Sequence, residues 1–193
     1  MNEPAWRVLG SRTRLENPWF RVLTRDVLLP DGSEIEFHSV DFARPAVAVV
    51  ARRGGRILLI RQYRLTIDRE VWAIPSGGVD PSESSIEAAA RELREEAALE
   101  AGSLRPLVAY HPSYGATNQL FEVFLAEDPV DSSTVIDGNE VLETRWFSEA
   151  EVLDLIFANR IVDGLSLTPL ALLFLEAAHS GPRLRGEIPQ DAP

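Results

Sequence analysis

Three glutamates lie close together near the middle of the chain, within the segment RELREE at residues 91–96. Glu92 stands three residues before Glu95 and four before Glu96, so on a helix the three carboxylates are neighbours. Mg²⁺ and Mn²⁺ prefer oxygen ligands, and Mg²⁺ is commonly shared between carboxylates and substrate phosphates. The spacing is therefore compatible with a site for a divalent cation.

The same residues also allow a simpler interpretation. Arg91 and Arg94 lie within reach of the neighbouring glutamates, and Glu87 stands four residues before Arg91 in a favourable helical pair. Most charge runs of this kind form a solvated helix face. The hexapeptide alone leaves both interpretations open.

The helix that must carry these carboxylates has a recognisable beginning and end. Ser84 followed by Glu87 predicts a capping box at its start. Gly102 is expected to end it. Apolar residues at helical spacing predict a core-facing stripe separate from the carboxylates, at Ile86, Ala89, Ala90, Leu93 and Ala97. The preceding segment, VWAIPSGGVDPSESS, is rich in Pro, Gly and Ser and is expected to be a functional loop.

The remaining elements are mostly strands. Strands are predicted at residues 20–29, 34–42, 46–51, 56–63, 104–110, 120–126 and 141–147. The runs at 46–51 and 56–63 are apolar on both faces, which predicts central strands covered on each side. A second helix is predicted from Ser148 to about Asn159, and a third with Pro169 in its first turn to about Ala178. The pattern favours an α+β fold or an α/β sandwich.

The composition excludes several classes of function. The formal net charge of −11 argues against general nucleic-acid binding, which needs a basic surface. The absence of cysteine excludes disulfides and thiolate metal sites. The first ten residues lack the layout of a signal peptide, and the longest apolar run, residues 170–175, is too short to span a bilayer. A cytoplasmic protein with no membrane partner is expected.

Residues 77–99 resemble the Nudix box, Gly-x5-Glu-x7-Arg-Glu-(apolar)-x-Glu-Glu-x-Gly-(apolar). Eight of its nine defined positions match, beginning at Gly77 and Glu83 and continuing through the RELREE segment to Leu99. The exception is Ala98, where the family has glycine. The resemblance implies a Nudix hydrolase, whose loop–helix–loop holds one to three Mg²⁺ or Mn²⁺ ions and whose substrate is a nucleoside diphosphate linked to another moiety.

The same resemblance assigns roles to the residues of the box. Arg91 would orient a carboxylate through a salt bridge, and Glu83 would brace the loop. Glu95 would also take part in catalysis. The metal ligands would be Glu92, Glu95, Glu96 and the backbone carbonyl of Ser76.

Outside the box, residues 6–178 look like the ADP-ribose pyrophosphatase branch of the family, from the N-terminal hairpin through ILLIRQYR to the Trp-x-x-Pro-x-Gly loop. This implies a Nudix fold, an α-β-α sandwich with a mixed central sheet and an N-terminal antiparallel β-hairpin region. In this branch the N-terminal sheet swaps across a homodimer. The expected division is an N-terminal β region at 1–43, a hydrolase domain at 44–180 and a flexible tail at 181–193.

The branch also implies which residues contact the substrate. Arg61 and Arg64 would bind phosphates, although each could instead pair with a surface carboxylate. Trp72 and Tyr114 offer aromatic surfaces for a base, and packing is the alternative for Trp72. The glycines of the loop, Gly77 and Gly78, are expected to border the substrate.

A general base is expected in the loop before the last strand. Asp137-Gly138-Asn139-Glu140 resembles a mobile acidic loop of this branch, which assigns the role to Glu140. Glu143 is the fallback, followed by Glu95 or Glu96, and an ordinary surface loop is the alternative.

Two residues depart from the branch. Ala73 and Gln119 stand where many ADP-ribose hydrolases have glutamate. The expected reaction is hydrolysis of ADP-ribose to AMP and ribose 5-phosphate. The alternatives are hydrolysis of another nucleoside diphosphate sugar and a non-catalytic module that senses such a ligand.

Overall fold

The structure, a computed structural model, describes residues 6–178. These divide into two compact units, residues 6–44 with 111–119 and residues 45–110 with 120–178. The division after residue 44 falls one residue from the expected boundary. The sequence did not predict that residues 111–119 belong with the N-terminal region. The expected tail at 181–193 lies outside the described residues.

The N-terminal unit is a three-stranded antiparallel sheet. Its strands, in spatial order, are β1 (Arg7–Glu16), β2 (Phe20–Leu28) and β3 (Glu34–Phe42). β1 was not predicted. The segment 111–119 is tied to β3 by the Asn118 side chain, which bonds to both the N–H and the C=O of Phe42 at 2.6 and 3.0 Å.

The second unit is built on a mixed sheet. Its strands are β4 (Ala46–Arg53), β5 (Arg56–Arg64), β6 (Arg69–Ala73), β7 (Ser76–Gly78), β8 (Leu99–Glu100), β9 (Leu104–Tyr110), β10 (Phe121–Glu127), β11 (Val130–Asp131) and β12 (Glu143–Ser148). The main order is β12-β5-β4-β10-β9, with β6 paired to β5 and β7 to β4. β4 and β10 are parallel and the other pairs in this sheet are antiparallel. The mixed sheet and the central position of β4 and β5 confirm the prediction.

Helices cover both faces of this sheet. They are α1 (Ser85–Ala97), α2 (Glu149–Phe157) and α3 (Gly164–Ala178). Alternate residues of β4 cluster with Ala89 and Leu93 of α1. The intervening residues cluster with Val152 of α2 and Leu170 of α3. Because successive strand residues point to opposite faces, α1 lies on one face and α2 and α3 on the other, as the predicted α-β-α sandwich requires.

The helix α1 begins as predicted but ends differently. Ser84 and Glu87 form the expected capping box. Ala98 follows the last helical residue in the left-handed conformation, with φ of 51°. The prediction that Gly102 ends the helix is wrong, because the residue at the box's usual glycine position makes the left-handed turn itself.

The start of α3 was also predicted wrongly. The helix begins at Gly164, so Pro169 lies inside it rather than in its first turn. The Asp163 carboxylate accepts a hydrogen bond from the Ser166 N–H at 2.9 Å, and Ser166 Oγ accepts one from the Ile74 N–H at 3.1 Å. These contacts hold an earlier first turn in place.

Among residues 6–178, no helix combines the length and apolar character needed to cross a membrane.

Candidate active site

Strand β7, in the segment that was expected to be a loop, approaches α1 closely at Gly77. A Cβ placed on Gly77 would overlap the carboxylate of Glu92. Gly77 lies in β7, which pairs with β4. A glycine at this position therefore lets the Glu92 side chain lie directly against the strand.

Arg91 forms the centre of a group of carboxylates. Its guanidinium donates to Glu83 and Glu92 at 2.7 Å each, and to Glu95 at 3.1 Å. It also donates to the carbonyl of Gly78 at 2.9 Å. The guanidinium of Arg91 thus orients the carboxylates of Glu92 and Glu95 and connects them to the segment before α1.

The carboxylates around Arg91 are not electrostatically equivalent. The hydrogen bond from Arg91, assisted by one from the Asp80 N–H, lowers the pKa of Glu83 below its usual value. Burial raises the pKa of Glu92 although Arg91 opposes the change. Burial therefore disfavours the charged form of Glu92, whereas the ion pair with Arg91 favours the charged form of Glu83.

Glu96 lies apart from Arg91 and is buried, with 6% of its surface exposed. Its Oε2 accepts a hydrogen bond from the Ser76 N–H at 2.7 Å, and its Oε1 accepts one from the side-chain amide of Gln62. Burial raises the pKa of Glu96 to about 7, against the effect of the Ser76 hydrogen bond. The negative charge of Glu92 raises the pKa further.

Glu96 was predicted as a metal ligand equivalent to Glu92 and Glu95. Glu96 follows Leu93 by three residues and Ala89 by seven, so it lies on the core-facing side of α1. That spacing was the available signal. Gln62 was also missed, although it alternates in β5 with Arg61 and Tyr63 and must therefore point to the opposite face.

The two candidate phosphate-binding arginines have different surroundings. Arg61 pairs with both Glu70 and Glu143, the latter at 3.0 Å. This placement fits the alternative in which Arg61 pairs with surface carboxylates. Arg64 is exposed and donates to the side-chain oxygen of Gln62. Of the two, Arg64 is connected to Glu96, through Gln62.

Glu140 and Glu143 have different surroundings: Glu143 pairs with Arg61, whereas Glu140 lies in an exposed turn. Glu140 follows a turn in which its N–H bonds to the carbonyl of Asp137 at 3.1 Å, and its side chain is exposed. Its charge contributes to the raised pKa of Glu92, which puts it within electrostatic reach of α1. Val141 anchors this turn by packing with Ile60 and Ala73.

The two aromatic candidates belong to different units and differ in exposure. Trp72 is only 7% exposed and packs edge-on against Phe147 at 4.8 Å between ring centroids, which favours packing over stacking with a base. Tyr114 is 87% exposed and belongs to the N-terminal unit. There it borders a cavity of about 330 Å³ whose lining includes Arg25, Ser39, Asp41, His111 and Asn118.

The donor atoms around α1 fit a hard divalent cation in their chemistry. Across residues 6–178, no three acidic or histidine side chains are already arranged as a metal site, since Glu92 and Glu95 turn to Arg91 and Glu96 turns to Gln62. The donors are nevertheless carboxylate oxygens on adjacent turns of one helix. The positive charge of a cation would also offset the desolvation that raises the pKa of Glu92 and Glu96.

Comparisons with protein families cover almost the whole described chain. Residues 42–164 match the family model described as the NUDIX domain. Residues 6–40 match the model described as the nucleoside diphosphate sugar hydrolase N-terminal domain. The two matches meet near the boundary between the structural units.

Individual proteins of similar sequence include two enzymes that are named for different nucleotide substrates. The chain is 31% identical over 182 residues to the CMP-5'-(N-acetyl-N-hydroxy-3-aminopropyl)phosphonate hydrolase of Streptomyces rubellomurinus, covering 92% of this chain and 86% of that protein. It is 26% identical over 155 residues to the ADP-ribose pyrophosphatase of Bacillus subtilis, covering 79% and 84%. A crystal structure of an ADP compounds hydrolase shares the fold with a TM-score of 0.80 at 21% identity, covering 92% of this chain and 98% of that one.

Proposed function

Because this chain belongs to the Nudix hydrolase family, we propose that it hydrolyses the diphosphate linkage of a nucleoside diphosphate derivative with the help of Mg²⁺ or Mn²⁺. ADP-ribose is the first candidate, and its products would be AMP and ribose 5-phosphate. The observation that carries the proposal is the pairing of an Arg91-bound carboxylate group with a separately held, buried Glu96 on the same helix.

The residues of α1 and β7 provide the binding part of the mechanism. Glu92, Glu95 and Glu96, with the carbonyl of Ser76, would hold the cation. When bound, the metal would neutralise the diphosphate and lower the pKa of a coordinated water molecule. Arg64 would donate to a phosphate oxygen, and Arg91 would keep the helix carboxylates oriented.

The chemical step needs a proton acceptor near α1. The oxygen of a water molecule would form a bond to one phosphorus, the bond from that phosphorus to the bridging oxygen would break, and the proton of the water would pass to Glu140. Glu140 is exposed and electrostatically coupled to Glu92, whereas Glu143 is paired with Arg61. These surroundings support Glu140 over Glu143 as the general base.

A second substrate class is favoured by a specific observation. The relative with 31% identity is named for a CMP conjugate, and Ala73 and Gln119 stand where many ADP-ribose hydrolases have glutamate. A cytidine-containing conjugate or another nucleoside diphosphate sugar is therefore the competing substrate.

The cytoplasmic location and the homodimer remain predictions, and light scattering coupled to size-exclusion chromatography would test the dimer.

The decisive experiment is a substrate panel with Mg²⁺ or Mn²⁺. The panel includes ADP-ribose, ADP-glucose, CDP-glucose, GDP-mannose, UDP-glucose, NADH, diadenosine polyphosphates and nucleoside triphosphates. We expect the highest kcat/KM for ADP-ribose and loss of turnover in EDTA. Preferential turnover of triphosphates would contradict the proposal, and binding of ADP-ribose without turnover would support the sensing module instead.

A matched pair of variants tests the base. Glu140→Gln should lower kcat by about 10²- to 10⁴-fold, the usual contribution of a general base. Glu143→Gln should lower it by less than about tenfold, since it removes only a partner of Arg61. The reverse ranking would transfer the role to Glu143.

A further inference from the structure

Gln62 is a buried amide to which the proposed mechanism assigns no role. Only 3% of its surface is exposed. Its side-chain nitrogen donates to Glu96 and its side-chain oxygen accepts from Arg64. A buried side-chain amide needs partners for both ends, and here each end has one.

The partners of Gln62 decide which way the amide points. Arg64 carries only hydrogen-bond donors, so it requires the oxygen of the amide. The amide nitrogen is then directed at Glu96, whose carboxylate accepts hydrogen bonds when it is ionised. Arg64 therefore orients the amide, and the amide orients the carboxylate.

The donors around Glu96 differ in kind from those around Glu92. Glu96 accepts from two neutral groups, the Ser76 N–H and Gln62, while Glu92 accepts from the guanidinium of Arg91. A neutral donor fixes the direction of a carboxylate without cancelling its charge. An arginine in the place of Gln62 would form an ion pair that a cation would have to displace.

From this arrangement we propose that Gln62 is a positioning residue, which holds the Glu96 carboxylate in the orientation for binding a divalent cation without forming an ion pair with it. The inference rests on the proposed function in taking Glu96 as a metal ligand. Partners of metal ligands typically contribute 10- to 100-fold to metal affinity.

The direct test measures Mn²⁺ binding without substrate, by electron paramagnetic resonance of the free ion. Gln62→Met has nearly the same shape and removes both hydrogen bonds. We expect it to weaken Mn²⁺ binding about 10- to 100-fold. The matched control is Tyr63→Phe, which removes the exposed hydrogen bond to Asp68 from the neighbouring position of β5 and should leave Mn²⁺ affinity unchanged.

Glu96→Gln is the reference variant, because it tests whether Glu96 is a metal ligand separately from whether Gln62 positions it. If Glu96→Gln weakens Mn²⁺ binding and Gln62→Met does not, the positioning role is overturned and the proposed function stands. If neither variant weakens binding, Glu96 is not a ligand, which overturns both the metal assignment and the role of Gln62.

A purely structural role for Gln62 predicts a different result. It would lower the thermal midpoint in EDTA while leaving the Mn²⁺ affinity of the folded protein unchanged. The titration is therefore done well below the midpoint, with circular dichroism to measure the folded fraction. A positioning role also predicts that excess Mn²⁺ restores turnover of Gln62→Met, and failure of excess Mn²⁺ to do so would count against it.

Should Gln62→Met fail to fold, Gln62→Asn keeps a polar amide in the same place. Its amide is one methylene shorter and cannot reach both Glu96 and Arg64. Mn²⁺ binding should again weaken about 10- to 100-fold. Wild-type affinity in this variant would overturn the proposal.

Discussion

The carboxylates of α1 are held in two different ways within a few residues. Arg91 bonds directly to Glu83, Glu92 and Glu95, so this group contains its own positive charge. Glu96 bonds to Ser76 and Gln62, which supply direction but no charge. We refer to these as the Arg91 group and the Glu96 group.

Glu83 and Glu96 are the same residue type under opposite electrostatic conditions. Within the Arg91 group, Glu83 has a lowered pKa because its ion pair stabilises the charged form. In the Glu96 group, burial raises the pKa to about 7, so the charged form is held at a cost in stability. A protein keeps such a cost where the charge is needed, which favours Glu96 as the residue with most to gain from a cation.

The largest difference between the groups should appear in turnover. Glu96→Gln should lower kcat/KM by about 10²- to 10³-fold while the fold survives, because an electrostatic contact made at the reacting centre is removed. Glu83→Gln, whose carboxylate serves Arg91, should lower kcat/KM by about tenfold or less. Steady-state assays with ADP-ribose and Mg²⁺ measure both, and equal losses would remove the distinction between the groups.

The next effect should appear in the stability of the metal-free protein. The pKa of Glu96 is raised from 4.5 to about 7 in the folded state, so folding binds its proton more tightly. The resulting stabilisation is fully present below about pH 4.5 and is lost as pH rises through about 7. At pH 8 in EDTA, Glu96→Gln should raise the free energy of unfolding by about 3 kcal/mol relative to its effect at pH 4.5.

Urea unfolding in EDTA at pH 4.5 and pH 8 measures this change. Glu95→Gln is the control, since Glu95 is exposed and belongs to the Arg91 group. A pH-independent effect of Glu96→Gln would show that its burial carries no charge penalty.

A smaller change in stability, in the opposite direction, should follow from removing the guanidinium of the Arg91 group. Arg91→Met leaves the carboxylates of Glu83 and Glu92 without their main partner, and also the carbonyl of Gly78. We expect the free energy of unfolding to fall by about 1 to 3 kcal/mol. Arg94→Met on the same helix should change it by less than about 0.5 kcal/mol. Equal effects in urea unfolding would show that Arg91 does not organise this group.

The smallest effect concerns the end of the helix that carries both groups. Ala98 adopts a left-handed conformation that costs a non-glycine residue about 1 to 2 kcal/mol. Ala98→Gly should therefore raise the free energy of unfolding by about 1 kcal/mol in urea unfolding. The ratio of kcat/KM between Glu96→Gln and Glu83→Gln should stay the same in this background. Gly102→Ala, a position that adopts no left-handed conformation, should not lower stability. A destabilising Ala98→Gly would contradict this account of the helix end.

The sequence by itself determined the features that depend on neighbouring residues. The capping box at Ser84 and the apolar strands β4 and β5 follow from local patterns, and the structure confirms them. The spacing of Gly77 and the glutamates identified the family for the same reason. Each of these signals acts over a few residues and can be read in one window.

The tertiary structure alone decided the partners of charged and polar groups that are distant in sequence. Gln62 meets Glu96 across 34 residues and Arg61 meets Glu143 across 82, and no local pattern predicts either contact. The early start of α3 and the grouping of residues 111–119 with the N-terminal unit have the same origin. Burial and charge compensation depend on distant parts of the chain meeting in the folded protein, so the difference between the Arg91 group and the Glu96 group exists only there.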